Sequence, residues 1–245
     1  MNYFLLCAYN EEKNILSLIK NIKDSFKYEH KIVVVDDGST DNTVYELKKF
    51  HSGDIFIISH KKNLGLGYAL KTGFLYIIEN LNLHPKDIII TMDADNTHPA
   101  ELANSMVEKI IDGYDIIIAS RYQPQSKQYK VAFYRKLISF IARIVLRTIF
   151  PYKNLKDYTS GYRAYSAKII KQLYQKFKEN FIEEKNFVVQ IELLTKLFLF
   201  SPKIYEIPFC LRYDRKYGKS KLKIVKNILS YVKFLIKKFL KRYSL

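Results

Sequence analysis

The chain has 245 residues, 48% of them hydrophobic, and a formal net charge of +17. That suits one α/β domain with or without an appendage and excludes a disordered or fibrous chain. The charge is lopsided: residues 1–120 hold 12 lysines against 17 acids (net −5), and residues 121–245 hold 29 Lys+Arg against 7 acids (net +22). The second half is therefore suited to phosphates, whether on nucleic acid, anionic lipid or a phosphorylated substrate.

Along the first half, apolar runs alternate with amphipathic stretches. YFLLCAY (3–9) reads as a buried strand; it is too short for a secretory leader and runs straight into NEE. The two cysteines, Cys7 and Cys210, lack metal or redox spacing, which points to a cytosolic protein with buried thiols. EEKNILSLIKNI follows as an amphipathic helix. KIVVVDD (31–37) is a second strand ending in acids, and STDNTVYELKKF a helix with Ser39 or Asp41 as its N-cap. DIFIIS (54–59), LGYALKTGFLYIIEN, DIIITM (87–92), PAELANSMVEKIIDG opened by Pro99, and YDIIIAS (114–120) continue the alternation. Such β-branched runs between amphipathic helices predict a parallel sheet covered on both faces. After residue 120 come a long apolar and basic helix (131–150), a polar loop DYTSGYRAYS (157–166), a helix NFVVQIELLTKLFLF, an extended KIYEIPFCLRY, and a lysine-striped helix from Leu222 on.

Ligands of an open α/β sheet bind at the carboxyl ends of its strands. Polar groups mark four such ends here: YNEE, DDGST, TMDADNTHP and ASRY. In the third, Asp93 and Asp95 have one residue between them, so both side chains of an extended segment point the same way. Two close carboxylates raise each other's pKa unless a cation lies between them, and Mg²⁺ or Mn²⁺ with diphosphate oxygens removes the conflict. The alternative is a strand end with one capping and one solvated aspartate. In DDGST, Gly38 suits a turn of positive φ, and Asp36 can accept hydrogen bonds from a base or ribose, or simply serve the turn. GLGYAL (65–70) has Leu70 where a dinucleotide fingerprint needs its third glycine; these glycines read as sites of close packing against a nucleotide or the sheet.

The motifs AYNEE, IVVVDDGSTDNT, NLGLGYALKTG, TMDADNTHPAEL, ASRY, DYTSGYRAY and RKYGKSKL stand in the order found in family 2 glycosyltransferases. Over roughly residues 3–222 the chain most resembles dolichyl-phosphate (polyprenyl-phosphate) mannosyltransferases. The resemblance implies an α/β, GT-A fold: a Rossmann-like, mostly parallel sheet flanked by helices, with basic amphipathic interfacial helices in the second half. It implies inverting transfer of a hexose, mannose from GDP-mannose first and a UDP-sugar such as UDP-glucose second, to a polyprenyl phosphate. By the same resemblance Tyr9, Glu11, Asp36 and Asp37 hold the nucleoside. Asp93, Asp95 and Thr97 hold Mg²⁺ or Mn²⁺ on the diphosphate. Arg121, Arg135 and Ser139 receive the acceptor phosphate, and Arg215 and Lys221 close over the diphosphate. Two positions depart from the family pattern: Cys7 stands where a proline is usual, and Asn96 and Thr97 stand where many members have Leu-Gln between the second aspartate and the His-Pro, so a weaker or differently shaped metal site is expected.

A phosphate monoester has a second pKa near ~6, so such an acceptor is a nucleophile without a general base. The chemical problem is bringing two anions together, which calls for cations. Arg135 and Ser139 lie four apart on a helix and share a face. Asp157, the only acid between Asp115 and Glu179, orders arginine or tyrosine partners. Gln190 and Glu192 face either the sugar hydroxyls or the core. Residues 222–245 hold no acid: Val225, Ile228, Val232, Leu235, Ile236, Phe239 and Tyr243 fall on one helical face and Lys226, Lys233, Lys237 and Lys241 on another. With no apolar window of about 18 residues, this helix is expected to lie in a membrane interface rather than span it. The expected organisation is a catalytic domain over 1–221 and an interfacial helix over 222–245, peripheral to the cytoplasmic face of a membrane. Three rivals are a transferase with a soluble saccharide acceptor, a non-catalytic protein with a degenerate site, and a basic nucleic-acid-binding module. No nucleic-acid motif is visible, and no nucleic-acid partner is expected.

Overall fold

The computed structural model describes residues 1–50, 53–152, 155–218 and 224–242, the last segment without side chains at 224–226 and 238–242. The predicted strands form as β1 (Asn2–Ala8), β2 (His30–Asp36), β3 (Ile55–Ser59), β4 (Ile88–Asp93) and β5 (Ile116–Ser120). Between them run α1 (Ile15–Ser25), α2 (Thr43–Leu47), α3 (Leu66–Leu75) and α4 (Leu102–Ile111). The second half contributes β6 (Lys127–Tyr129), α5 (Phe133–Ile149), β7 (Arg163–Ser166), α6 (Ala167–Phe177), α7 (Val189–Leu197), β8 (Ile204–Pro208), β9 (Cys210–Arg212) and α8 (Ile224–Arg242). The main sheet has seven strands in the order β3-β2-β1-β4-β7-β5-β8.

Side chains alternate across this sheet as the two-residue period of a strand demands. In β1, Tyr3 and Leu5 enter a core with α3, α6 and α7, while Phe4, Leu6 and Ala8 enter one with α1 and α4. Covering both faces removes the aliphatic runs from water, which is the main favourable term of such a fold.

The sheet is mostly parallel, as expected, with one correction. β7, inside the segment read as a polar loop, pairs antiparallel with both β4 and β5. The sequence hides this strand because Arg163, at its head, is fully buried. Its charge is housed by carbonyls: Nη1 donates to Gln190 O and Nη2 to Tyr158 O, each at 2.9 Å.

Three local expectations also change. Ser39 does not cap α2; its hydroxyl accepts from Asn10 N at 2.8 Å, while Asp41 Oδ1 accepts from Thr43 N at 3.0 Å. α4 starts at Leu102, because Pro99 leads a turn in which its carbonyl accepts from Leu102 N. The glycines at 65 and 67 do not pack against the sheet. A Cβ on Gly67 would sit 1.7 Å from Glu184 O, so the start of α3 lies against the backbone of the 184–185 segment.

α8 docks on the domain rather than standing apart. Phe234 is buried in the core with Tyr231 and Leu235 packed beside it, and Asn186 Nδ2 donates to Ser230 Oγ. Ile228, Leu229, Val232 and Ile236 remain exposed, so the expected single apolar face divides between domain and solvent. The side chains of Val225, Lys226, Phe239, Lys241 and Tyr243 lie outside the described residues. α5 is exposed along Phe133, Leu137, Ile141 and Ile144, and only Leu146 is buried. Among the described residues no helix is long and apolar enough to cross a membrane.

Candidate active site

β1 pairs with β2 on one side and β4 on the other, placing Cys7 beside Val35 and beside Asp93. At about 4.8 Å per strand, the acids ending β2 and β4 stand roughly 10 Å apart, across the end of β1.

At the β2 end, Asp36 is buried and both its oxygens accept from Ser39 N (3.3 and 3.4 Å), across a turn in which Gly38 takes φ +70. Asp37 holds the following loop: Oδ1 meets His60 Nδ1 at 2.8 Å and Leu64 N at 2.9 Å, and Oδ2 meets Gly65 N at 2.8 Å. Its carboxylate is thus engaged within the protein. Glu11 is buried beside them, accepting from Asn14 Nδ2 at 2.7 Å, and Tyr9 precedes it at the end of β1. Burial pushes the Cys7 thiol well up, with Asp93 and Asp37 adding to it, which disfavours its thiolate form.

At the β4 end lies a cavity of about 500 Å³. Its polar end gathers Asp93, Asp95, Thr97, Arg121, Arg135 and Ser139, six residues singled out in the sequence from three separate segments. Its other end is aliphatic, lined by Ile138, Ile141 and Val145 of α5 and Ile228, Val232 and Leu235 of α8. Tyr9, Glu11, Asp36, Asp37 and Arg215 do not line it. Lys221 lies outside the described residues.

The two carboxylates differ. Asp93 opens into the cavity, its side chain 42% exposed, and its backbone N–H donates to His98 Nδ1 at 3.1 Å. Desolvation raises its pKa; His98 pulls it down and Asp95 pushes it up further. Asp95 also feels desolvation, but Lys216 and His98 outweigh it and hold the carboxyl below its usual range. Lys216 Nζ donates to Asp95 Oδ2 at 2.5 Å, while Thr97 Oγ1 and N donate to Asp95 Oδ1 at 2.7 and 3.2 Å. Thr97 therefore orients Asp95. Asn96, at φ +61, turns its side chain to Ser17 and Asn21 of α1 and offers nothing to the carboxylates.

Sequence reasoning missed Lys216, choosing Arg215 beside it. The path of the backbone brings Lys216 to Asp95. Arg212 N donates to Thr97 O at 2.9 Å, and Asn14 clamps Tyr217 through Tyr217 N→Asn14 Oδ1 (2.9 Å) and Asn14 Nδ2→Tyr217 O (3.0 Å). The residue between these anchors is laid over Asp95, an arrangement no local pattern announces. A smaller cavity of about 210 Å³ next to it is edged by Lys130, Arg135, Tyr213 and Lys216, a basic vestibule.

Arg121 is anchored by Asp157, whose side chain is fully buried. Nε donates to Oδ2 at 2.8 Å and Nη2 to Oδ1 at 2.7 Å, with Thr159 Oγ1 also on Nη2. Burial works against the guanidinium's charge and Asp157 more than offsets it, so Arg121 stays protonated with Nη1 left over for a ligand. Arg135 Nη1 donates to Tyr213 Oη at 2.9 Å, and Ser139 Oγ meets Tyr122 Oη at 2.6 Å. Gln190 lines the cavity. Glu192 does not: its carboxylate takes Glu183 N, Glu184 N and Lys196 Nζ.

The donor set fits a hard divalent cation. Two carboxylate side chains meet at one wall, and a lysine ammonium already stands against one of them as the resident positive charge. Among the described residues no cluster of three or more His, Cys, Asp or Glu is arranged to hold a metal alone, so a bound cation would draw further ligands from a substrate such as a diphosphate.

Several known proteins resemble the chain in sequence or in fold. The model of the family "Glycosyl transferase family 2" matches residues 3–174. A dolichol-phosphate mannosyltransferase of Pyrococcus furiosus is 32% identical over 234 residues, 94% of this chain; the alignment covers only 61% of that relative's length. An undecaprenyl-phosphate mannosyltransferase of Micrococcus luteus is 27% identical over 89% of this chain and 86% of its own. Among solved structures, the glucosyl-3-phosphoglycerate synthase of Mycobacterium tuberculosis, in complex with Mn²⁺, UDP-glucose and phosphoglyceric acid, superposes with a TM-score of 0.68. That match covers 100% of this chain and 80% of the synthase at 20% identity, a likeness of fold.

Proposed function

The chain belongs to glycosyl transferase family 2, and from that premise we propose that it moves a hexose, with inversion, from a nucleoside diphosphate donor to a polyprenyl phosphate at a membrane surface. One observation carries this reading: the cavity that joins a carboxylate pair and Arg121 to an aliphatic opening between α5 and α8. A lipid phosphate is the acceptor class that uses both ends. The names of the Pyrococcus and Micrococcus relatives support the same acceptor and favour mannose, with GDP-mannose as donor; the UDP-glucose of the synthase complex is the alternative.

On this reading Tyr9, Glu11 and Asp36 face the nucleoside, while Asp37 shapes the loop beside it. Asp93 and Asp95 would hold Mg²⁺ or Mn²⁺, with Thr97 fixing the Asp95 rotamer. When bound, such a cation neutralises the donor diphosphate and stabilises it as a leaving group. Arg121 Nη1, Arg135 and Ser139 receive the acceptor phosphate, a dianion that needs no base. Asp157 is therefore an anchor for Arg121 and not a proton acceptor. Arg215, Lys216 and Lys221 close the diphosphate side. Catalysis is positioning and electrostatic stabilisation. The exposed apolar residues of α5 and α8, with Arg143, Arg147, Lys233 and Lys237 on the same helices, form a surface for the cytoplasmic face of an anionic membrane, where the lysines and the apolar side chains both find partners.

The test is transfer itself. Purified protein is incubated with Mn²⁺, radiolabelled GDP-mannose or UDP-glucose, and a polyprenyl phosphate in mixed micelles. Label is expected in the organic phase as an acid-labile glycolipid. Label passing only to a water-soluble saccharide, or to nothing with either donor, would refute the proposal.

A further inference from the structure

Gln190, in the first turn of α7, is 3% exposed and lines the larger cavity. Its backbone is fixed by the carbonyl contact to buried Arg163 described above. Its side-chain carboxamide, by contrast, has no hydrogen-bond partner among the described residues. The amide opens into the cavity, where a water or a ligand can complete its hydrogen bonds.

The surroundings indicate which ligand. Gly161 lies between the amide and Asp93: a Cβ there would stand 3.0 Å from Gln190 Nε2 and 3.5 Å from Asp93 Oδ1. Thr91 Oγ1 holds the Gly161 carbonyl at 2.8 Å, so this bare floor belongs to the end of β4. A group attached to a diphosphate at Asp93 therefore comes within reach of a neutral side chain with both donor and acceptor, the chemistry that suits a sugar hydroxyl. A carboxylate there would repel the diphosphate; the amide does not.

We infer that Gln190 is a specificity-determining contact of the donor, its carboxamide hydrogen-bonding a hydroxyl of the transferred hexose across the floor at Gly161. The inference rests on the transferase reading above and adds the group that reads the sugar. Arg163 is its positioning residue, since it ties the start of α7 to the loop carrying Gly161.

The experiment is isothermal titration, with Mn²⁺ present, of GDP, GDP-mannose, UDP and UDP-glucose into the wild type, Gln190→Ala, Gln190→Met and Gly161→Ala. The methionine keeps the volume, and the alanine at 161 displaces the amide without deleting it. For the sugar nucleotide that the wild type binds, each variant should lose about tenfold in affinity, while affinity for the matching sugar-free nucleotide changes less than about twofold. Unchanged binding of the sugar nucleotide by both Gln190 variants overturns the assignment. So does an equal loss for both nucleotides, which marks a structural role. A wild type that binds none of the four overturns the transferase reading itself, and the assignment with it.

Discussion

Replacing Asp157 by asparagine puts an NH₂ group into a pocket that presents only donors. Oδ2 takes Arg121 N and Nε at 3.0 and 2.8 Å, and Oδ1 takes Arg121 Nη2, Thr159 N and Ser160 N at 2.7, 3.2 and 3.1 Å. Whichever way the amide faces, it meets two or more of these head-on, and Arg121 loses its counter-charge while only 19% exposed. Stranding one partner of a buried pair costs about 3–5 kcal/mol. Arg121 can turn toward the cavity, so the low end, about 3 kcal/mol, is expected. For a chain of this size that lowers the melting temperature by about 6–12 °C. The pH dependence is a sharper check. Burial pushes the Asp157 carboxyl up, but Arg121, by charge and hydrogen bonds, holds it below the usual carboxylate range. A depressed folded pKa gives stability that is complete above the unfolded value near ~4 and lost as pH falls through the folded one. The melting gap between wild type and Asp157→Asn should therefore be full at neutral pH and narrow below about pH 4. A gap worth under about 1 kcal/mol, or one unchanged in acid, would refute the reasoning.

Three further outcomes are expected. Lys216→Met removes the ammonium at Asp95, so Mn²⁺ titrated without nucleotide should bind about tenfold tighter, a modest share of a unit-charge contact at ~4 Å; binding no tighter than wild type would show that Lys216 does not occupy the cation's place. Gly67→Ala drives a Cβ into Glu184 O, a backbone atom, and should cost about 3 kcal/mol as overpacking, read as a lower urea midpoint; an unchanged midpoint would mean that the 184–185 segment yields freely. The pair Ile144→Asp and Val232→Asp alters only exposed positions, so the melting temperature should hold within about 2 °C while co-sedimentation with phosphatidylglycerol vesicles is largely lost; full retention on vesicles would remove the membrane from the proposed function.

The strands β1 to β5 were legible because each is an aliphatic run long enough to cross a buried sheet. The carboxylate pair was legible because a two-residue spacing at a strand end has a direct geometric meaning. β7 was not: four residues headed by an arginine read as polar, and it is the carbonyls of Tyr158 and Gln190, far apart in sequence, together with the Tyr165 hydroxyl, that make its burial tolerable. Asp37 and Asp36 read alike as adjacent acids, yet the loop after β3 engages one and the turn the other. Gln190 and Glu192 sit two apart on one helix, and nothing local says which turns to the cavity; Lys196 and the amides of 183 and 184 draw the glutamate away. Lys216 depended on tertiary anchors at Asn14 and Thr97. Where a role follows from the period of one element it can be read; where it follows from two chain segments meeting, it cannot.

The place of β7 has a consequence for how the protein comes into being. β4 and β5 are made early and have no partner in each other; the strand that bridges them arrives only with residues 163–166. Thr91 waits 70 residues for Gly161. A nascent chain paused in that interval presents bare aliphatic edges, Ile88–Ile90 and Ile116–Ile118, of the kind that invite wrong pairing and slow, non-local folding. The segment that closes the gap also brings Gly161 and Arg163, the floor of the cavity and the anchor of α7. Ribosomal output truncated before this point is material for chaperones, and the same four residues that join the two strands also begin the assembly of the site, which β8 at the sheet edge and Lys216 complete later.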